Sequence, residues 1–306
     1  MLKKNSSKKG FTLIELLVVM SIIALLLSIL MPALGRARRE AMLLKDSTRI
    51  KSIHTGWITW ASGHNTRYPT PGYVNRQTDD VLGDVKGRGR EDREKNTTDN
   101  IHSLSVMENL YAVDLLVSDN EPNPNVYVME GYDFGARNPA DDTYWHGDSP
   151  SDGPTEVDGF KADLTDGGDG CNVSYASIPL IGDRKKKEWG SSGSSEFAIL
   201  SNRGPMFGQL EDHSMTYYIH GGGRTWVGNV CWQDNHMSYE ESLYPVMSIY
   251  RTSEGHVPDN LFNIDCVSGL CHFWGGDTWL VLVSELTPGG DTYEYQLNPV
   301  LEWDDE

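Results

Sequence analysis

The sequence predicts an α+β protein, in which one long N-terminal helix, transmembrane and then amphipathic, packs on an antiparallel β-sheet globular domain. Three observations predict it. From Phe11 to Leu34 the run of 24 residues carries a single charge, Glu15. From Arg36 to Ser62 the pattern continues at helical period, with Ile50, Ile53, Trp57 and Trp60 three and four residues apart and Leu43 one heptad earlier. Beyond residue 125 the apolar residues fall in short β-branched and aromatic runs bounded by Gly, Pro, Asn or Asp, as strands do.

The first ten residues hold four lysines (Lys3, Lys4, Lys8, Lys9) and no acid. The whole chain of 306 residues carries 26 basic against 44 acidic residues, a formal net charge of −18. Without the opening decapeptide it is −22. That balance excludes a nucleic-acid binder, which needs clustered cations for the phosphate backbone. The apolar run would rise about 36 Å as a helix, enough for a hydrocarbon core of about 30 Å. Lysines before it and an acidic domain after it put the N-terminus on the cytoplasmic side. Small residues at Ala33 and Gly35 offer a competing reading, a signal peptidase site that would release a soluble domain. The length of the run and Glu15 stand against it.

Glu15 is the anomaly of the run. A carboxylate there costs about 2.5–3.5 kcal/mol on insertion scales, and the segment offers no Lys or Arg at helical spacing. An α-amine at Phe11, made by cutting after Gly10, would supply the missing positive charge. The octapeptide Lys8-Lys9-Gly10-Phe11-Thr12-Leu13-Ile14-Glu15 resembles the cleavage and methylation motif of type IV pilins and type II secretion pseudopilins. The resemblance implies a prepilin peptidase that cuts after Gly10 and methylates the Phe11 amine. It also implies side-by-side packing with other pilin-like subunits, in a homo- or hetero-filament, through Phe11 and Glu15, and an inner-membrane assembly platform. Pro32 falls where pilins often carry a helix-weakening proline. The expected organisation is a cleaved leader over 1–10, a filament-core helix over 11–34, its amphipathic continuation over 35–62 and a periplasmic globule over 63–306.

Gly56 is expected to end or bend the helix, at about 1 kcal/mol relative to Ala. Residues 75–100 read as a charged surface insertion, and Ile101–Val117 as a second helix. Strands are expected at Val126–Met129, Cys171–Ile178, Phe197–Ser201, Met215–His220, Thr225–Gln233, Met237–Glu240 and Trp279–Leu286, with loop over Asp133–Gly170. The sequence His220-Gly221-Gly222-Gly223, followed by the strand to Gln233 and by Asp234-Asn235-His236, resembles a C-terminal segment of planctomycete pilin-like proteins. There nine residues separate the His from the Asp of an Asp-Gly turn. Here thirteen residues intervene and Asn235 replaces the Gly. A two-residue hairpin at Asp234-Asn235 is expected, since Asn tolerates the left-handed region.

No HExxH, GxSxG or paired-carboxylate arrangement is present, so an enzyme is not expected, and a membrane-anchored hydrolase is the weakest reading. Asp163, Asp166 and Asp169 have the oxygen density of a calcium loop without EF-hand spacing, and calcium is the sole cofactor the residues suggest. Arg184 to Lys187 reads as a solvated basic turn. Four cysteines allow three pairings, of which Cys266 with Cys271 and Cys171 with Cys231 is preferred, against four buried thiols. The expected function is a filament subunit. The alternative is a minor pilin or surface-anchored module that binds a glycan through its tryptophans and polar loops.

Overall fold

A computed structural model describes residues 11–78, 85, 87–148, 159–164, 170–191, 193–210, 214–221, 223–252, 255–264, 266–267, 270–271, 277–288 and 297–302. The chain divides into two units, one ending at Leu44 and one running from Lys45 to the C-terminus. Helix α1, Leu13–Gly63, belongs to both.

Among the described residues, the first unit is helix from Leu13 onward. Its side chains from Phe11 to Ala41 are all exposed, apolar ones included. It is long and apolar enough to cross a membrane. Pro32 lies inside the helix without ending it.

In the second unit the helix residues Lys45–Gly63 turn one face inward. Asp46, Ile50, Ile53, His54, Trp57 and Ala61 are buried, a stripe of helical period. Ile50, Ile53 and Trp57 are fully buried, each worth about 1.5–3 kcal/mol of apolar transfer. Gly56 does not end the helix. It is a contact: a Cβ there would lie 3.0 Å from the Leu110 carbonyl oxygen and the Tyr111 ring.

Short helices follow: α2 (Pro71–Val74) and α3 (Thr98–Met107), with α4 (Tyr217–His220) later in the chain. The expected helix over 101–117 is two pieces, α3 and a 3-10 turn at Val113–Leu116. Asn109 separates them in the left-handed region, φ 56°. Its N–H bonds the Val106 carbonyl, and that of Leu110 bonds Ser105, a Schellman ending with Asn in the usual glycine position.

Among the described residues, short strands complete the unit: β1 (Ala162–Asp163), β2 (Gly170–Cys171), β3 (Tyr175–Ser177), β4 (Ala198–Asn202), β5 (Gly228–Trp232), β6 (Met237–Glu240), β7 (Ile249–Thr252), β8 (Gly255–Pro258), β9 (Cys266–Val267), β10 (Leu270–Cys271), β11 (Leu282–Pro288) and β12 (Leu297–Glu302). The central sheet is antiparallel, in the order β3-β4-β5-β6. Strands β4 and β5 are buried at every residue. Burial on both faces removes the alternating polar pattern, which is why these strands read as continuous runs.

Several expectations change. Val126–Met129 makes a single bridge, Val126 to Cys171, and no strand. Cys171–Ile178 is interrupted between β2 and β3. Met215–His220 ends in helix α4, where Ser214 and Thr216 bond each other's polar groups at the helix start. Arg184–Lys187 is part of a π-helical turn, not a solvated loop: Arg184 is fully buried, ion-paired to Asp277 and 5.2 Å from the Trp279 ring.

Cys171 and Cys231 are buried thiols and not the expected pair. Cys171 Sγ donates to the Val173 carbonyl at 3.2 Å, whereas Cys231 Sγ sits 3.4 Å from His54 Nδ1. Cys266 and Cys271, the other expected pair, are register partners in β9–β10. Peptide mapping of the non-reduced protein is expected to recover Cys171 and Cys231 alkylated as thiols only after unfolding. A Cys171–Cys231 peptide would contradict this arrangement.

Candidate assembly site and the helix clamp

Two groups of polar side chains on α1 break its apolar pattern. The first is at the start. Thr12 precedes the first helical residue, and its hydroxyl accepts from the Glu15 N–H at 3.3 Å. Glu15 Oε2 accepts in return from the Thr12 N–H at 2.9 Å and from its hydroxyl at 2.8 Å. This is a capping box, Thr-x-x-Glu, which satisfies helix donors reciprocally. The Thr-x-x-Glu spacing of Thr12 and Glu15 is legible in the sequence. Glu15 is therefore engaged at the helix start within its own chain. Phe11 is 79 % exposed beside it. Gly10 lies outside the described residues.

The second group is where α1 meets the sheet, and nothing in the periodicity marked it except an Asp on an apolar stripe. Asp46 is 2 % exposed. Its Oδ1 accepts from the Tyr175 hydroxyl at 2.7 Å. Its Oδ2 accepts from Asn202 Nδ2 at 2.6 Å and meets His220 Nε2 at 2.8 Å. Tyr175 and Asn202 are register partners on β3 and β4, so one carboxylate ties both strands and α4 to the helix. Burial pushes the Asp46 carboxyl up, but the His220 hydrogen bond and charge, with Tyr175 and Asn202, hold it below the usual range. His220 is positioned by the turn after α4. Gly221 is required there, because a Cβ would lie 2.5 Å from the Tyr217 carbonyl oxygen.

Two helical turns on, His54 forms the next contact. Its Nδ1 is 3.0 Å from Asn235 Oδ1 and its Nε2 is 2.9 Å from the Tyr68 hydroxyl. One tautomer satisfies both, with Nδ1–H donating to Asn235 and Tyr68 donating to Nε2. Asn235 takes the left-handed region, φ 68°. The turn is a three-residue loop, not the expected two-residue one: Trp232 N–H bonds the His236 carbonyl around Gln233-Asp234-Asn235. Asn235 thus does what Gly does for the backbone and adds a side chain that reaches α1, including Thr55 at 3.2 Å.

Cys231, His54 and Asn235 together have the residue types of a cysteine hydrolase. Such a thiol must be accessible and easily ionised. Cys231 is fully buried, and burial pushes its thiol well up. Burial likewise holds His54 down at about 4 and His102 at about 3, so both are neutral. The cluster packs the helix and has no access for a substrate.

Among the described residues no group of three His, Cys, Asp or Glu is arranged to hold a metal ion. Asp163 sits in β1 opposite Gly170, and Asp166 and Asp169 lie outside the described residues.

The clamp has a thermodynamic signature. Asp46→Ala removes the acceptor shared by three buried groups, the Tyr175 hydroxyl, Asn202 Nδ2 and His220 Nε2, and is expected to cost about 3–5 kcal/mol in denaturant unfolding. His54 and His102 bind protons more tightly unfolded, near 6.5, than folded. Stability should therefore fall as pH drops from about 6.5 toward 4, by up to about 1.4 kcal/mol per unit for each His. Asp46 adds a further loss only below about pH 4, as its lowered folded value is crossed. Asp99, which burial raises to about 6, opposes this loss in the same window, so the direct check is histidine NMR of the folded chain, where protonation of His54 or His102 above about pH 6 would contradict the buried neutral histidines.

Comparison with known families matches residues 5–31 to the prokaryotic N-terminal methylation motif. Comparisons with curated proteins and with solved structures find no match. The match covers residues 5–10 of the expected leader, Phe11, Glu15 and the apolar helix as far as Met31, and stops before Pro32 and the clamp. The chain has a prepilin-type N-terminus, the N-methylation segment of type IV pilin-like and pseudopilin proteins.

Proposed function

We propose that the chain is a structural subunit of a type IV pilus-like or type II secretion pseudopilus filament, processed after Gly10 and assembled through its N-terminal helix. The carrying observation is the methylation motif joined to a helix whose apolar side chains are all exposed over 13–34. A helix of that composition needs lipid or neighbouring helices around it. In the membrane the segment over 11–34 is a single-pass anchor with the globule on the periplasmic side. In the filament it packs against other subunits, and the assembly platform extracts it. Prepilin peptidase is the processing partner, and no catalytic role for this chain enters the reading.

Glu15 has two jobs in this account, the cap to Thr12 and a charge pair with the Phe11 amine of a neighbour. They separate by substitution. Glu15→Gln keeps the capping box, which Gln also makes, but removes the charge. Glu15→Ala removes both. Filament yield from the shear fraction is expected to collapse in both variants, while the leader is still removed. Full assembly by Glu15→Gln would reduce Glu15 to a cap. Mass spectrometry of the mature chain should give an N-methylated Phe11 terminus, and any other start would sink the processing step.

A further inference from the structure

A groove of about 700 Å³ opens beside the C-terminal end of α1, within the second unit. That is inside the range of about 300–1,000 Å³ of small-molecule sites. Its lining includes Arg67, Arg76 and Arg137 against one carboxylate, Glu108. In a chain of net charge −18 this is a local reversal of sign. Arg137 meets Glu108 at 3.6 Å. The other two guanidiniums converge on one ring. Arg67 lies 5.5 Å and Arg76 5.7 Å from the centre of Tyr73, with Arg67 donating to its hydroxyl at 3.3 Å and Arg76 to its carbonyl at 3.1 Å. Lys185 stands 5.0 Å from the same ring on its way to Glu91. Burial first, then the charges of Arg67 and Lys186, lower Lys185 to about 7, which registers the positive field there.

The opposite feature of the lining is flat. His64 stacks on Trp60 with ring centres 3.7 Å apart and planes 2° from parallel. The His64 Nδ1 bond to the Trp60 carbonyl, 2.8 Å, ends the helix and fixes the stack. Trp60 is only half-buried, unlike Ile50, Ile53 and Trp57 of the same stripe.

We propose that this groove binds a small acidic sugar, its carboxylate held by Arg67 and Arg76 and its ring lying on the Trp60–His64 stack. Guanidinium forks match carboxylates in a planar, bidentate way that lysines cannot. A pyranose offers an apolar face to an indole. A long polyanion such as a nucleic acid would meet the repulsion of the whole globule, whereas one or two carboxylates meet only the local cations. The proposal is independent of the filament reading, since none of these residues lies in the first unit.

The test is titration calorimetry of the full chain in detergent micelles at low salt, with digalacturonate, neutral digalactose and an Asp-Glu dipeptide as probes. Digalacturonate should bind saturably, and digalactose at least about tenfold more weakly for want of the charged pair. Arg67→Ala, Arg76→Ala and Trp60→Ala should each weaken digalacturonate by about tenfold or more with melting temperatures kept for the two exposed arginines. No saturable binding, or binding unchanged in the Arg67→Ala/Arg76→Ala double variant, would overturn the proposal. Equal binding of the dipeptide would overturn the sugar assignment by showing that the ring contributes nothing.

Discussion

The Asp46 carboxylate is the contact on which the globule depends. A buried charge on an apolar helical face is costly in isolation, and it is stable here because Tyr175, Asn202 and His220 supply its hydrogen bonds together. These partners come from β3, β4 and α4. Helix, sheet and the turn at Gly221 must all be in place before any of them is satisfied. The arrangement sets register as well as energy. A sliding helix would strand the carboxylate, whereas apolar neighbours such as Ile50 and Ile53 would tolerate small shifts.

His54 makes the same argument eight residues later through Asn235. The C-terminal segment with its His, glycines and Asp-Asn turn therefore reads as a two-point clamp on α1. Its departures from the resembled pattern become intelligible. The Asn that replaces a turn glycine keeps the left-handed backbone and provides the bond to His54. The same helix carries a second requirement over 13–34, where apolar side chains face outward. One continuous helix thus serves two environments, and its polar exceptions, Glu15, Asp46 and His54, mark the places where it does something other than bury or expose apolar surface.

Much of this was legible in the sequence. The apolar run, its lone Glu15 and the amphipathic stripe through Trp57 follow from composition and period alone. The strands of the central sheet were also visible, because Ala198–Asn202 and Gly228–Trp232 are apolar runs between turn residues. What was not legible depended on partners far away in the chain. Asp46 meets His220 across 174 residues, and no local pattern predicts that. Gly56 looked like a break because its reason, close approach of Leu110 and Tyr111, is also distant. The Arg184 turn looked solvated because its counter-ion, Asp277, lies in another element. The capping box at Thr12 is the opposite case, since its two residues are three apart and the spacing alone carries it.

The most direct test of the clamp is amide hydrogen exchange on the full chain in detergent. The account predicts that the amides of residues 46–61 open with the same free energy as those of β4 and β5, as one cooperative unit, and that Asp46→Asn lowers both together. If residues 46–61 instead exchange well before the sheet, and Asp46→Asn leaves the sheet amides unchanged, the helix is not locked to the globule and the clamp is contradicted.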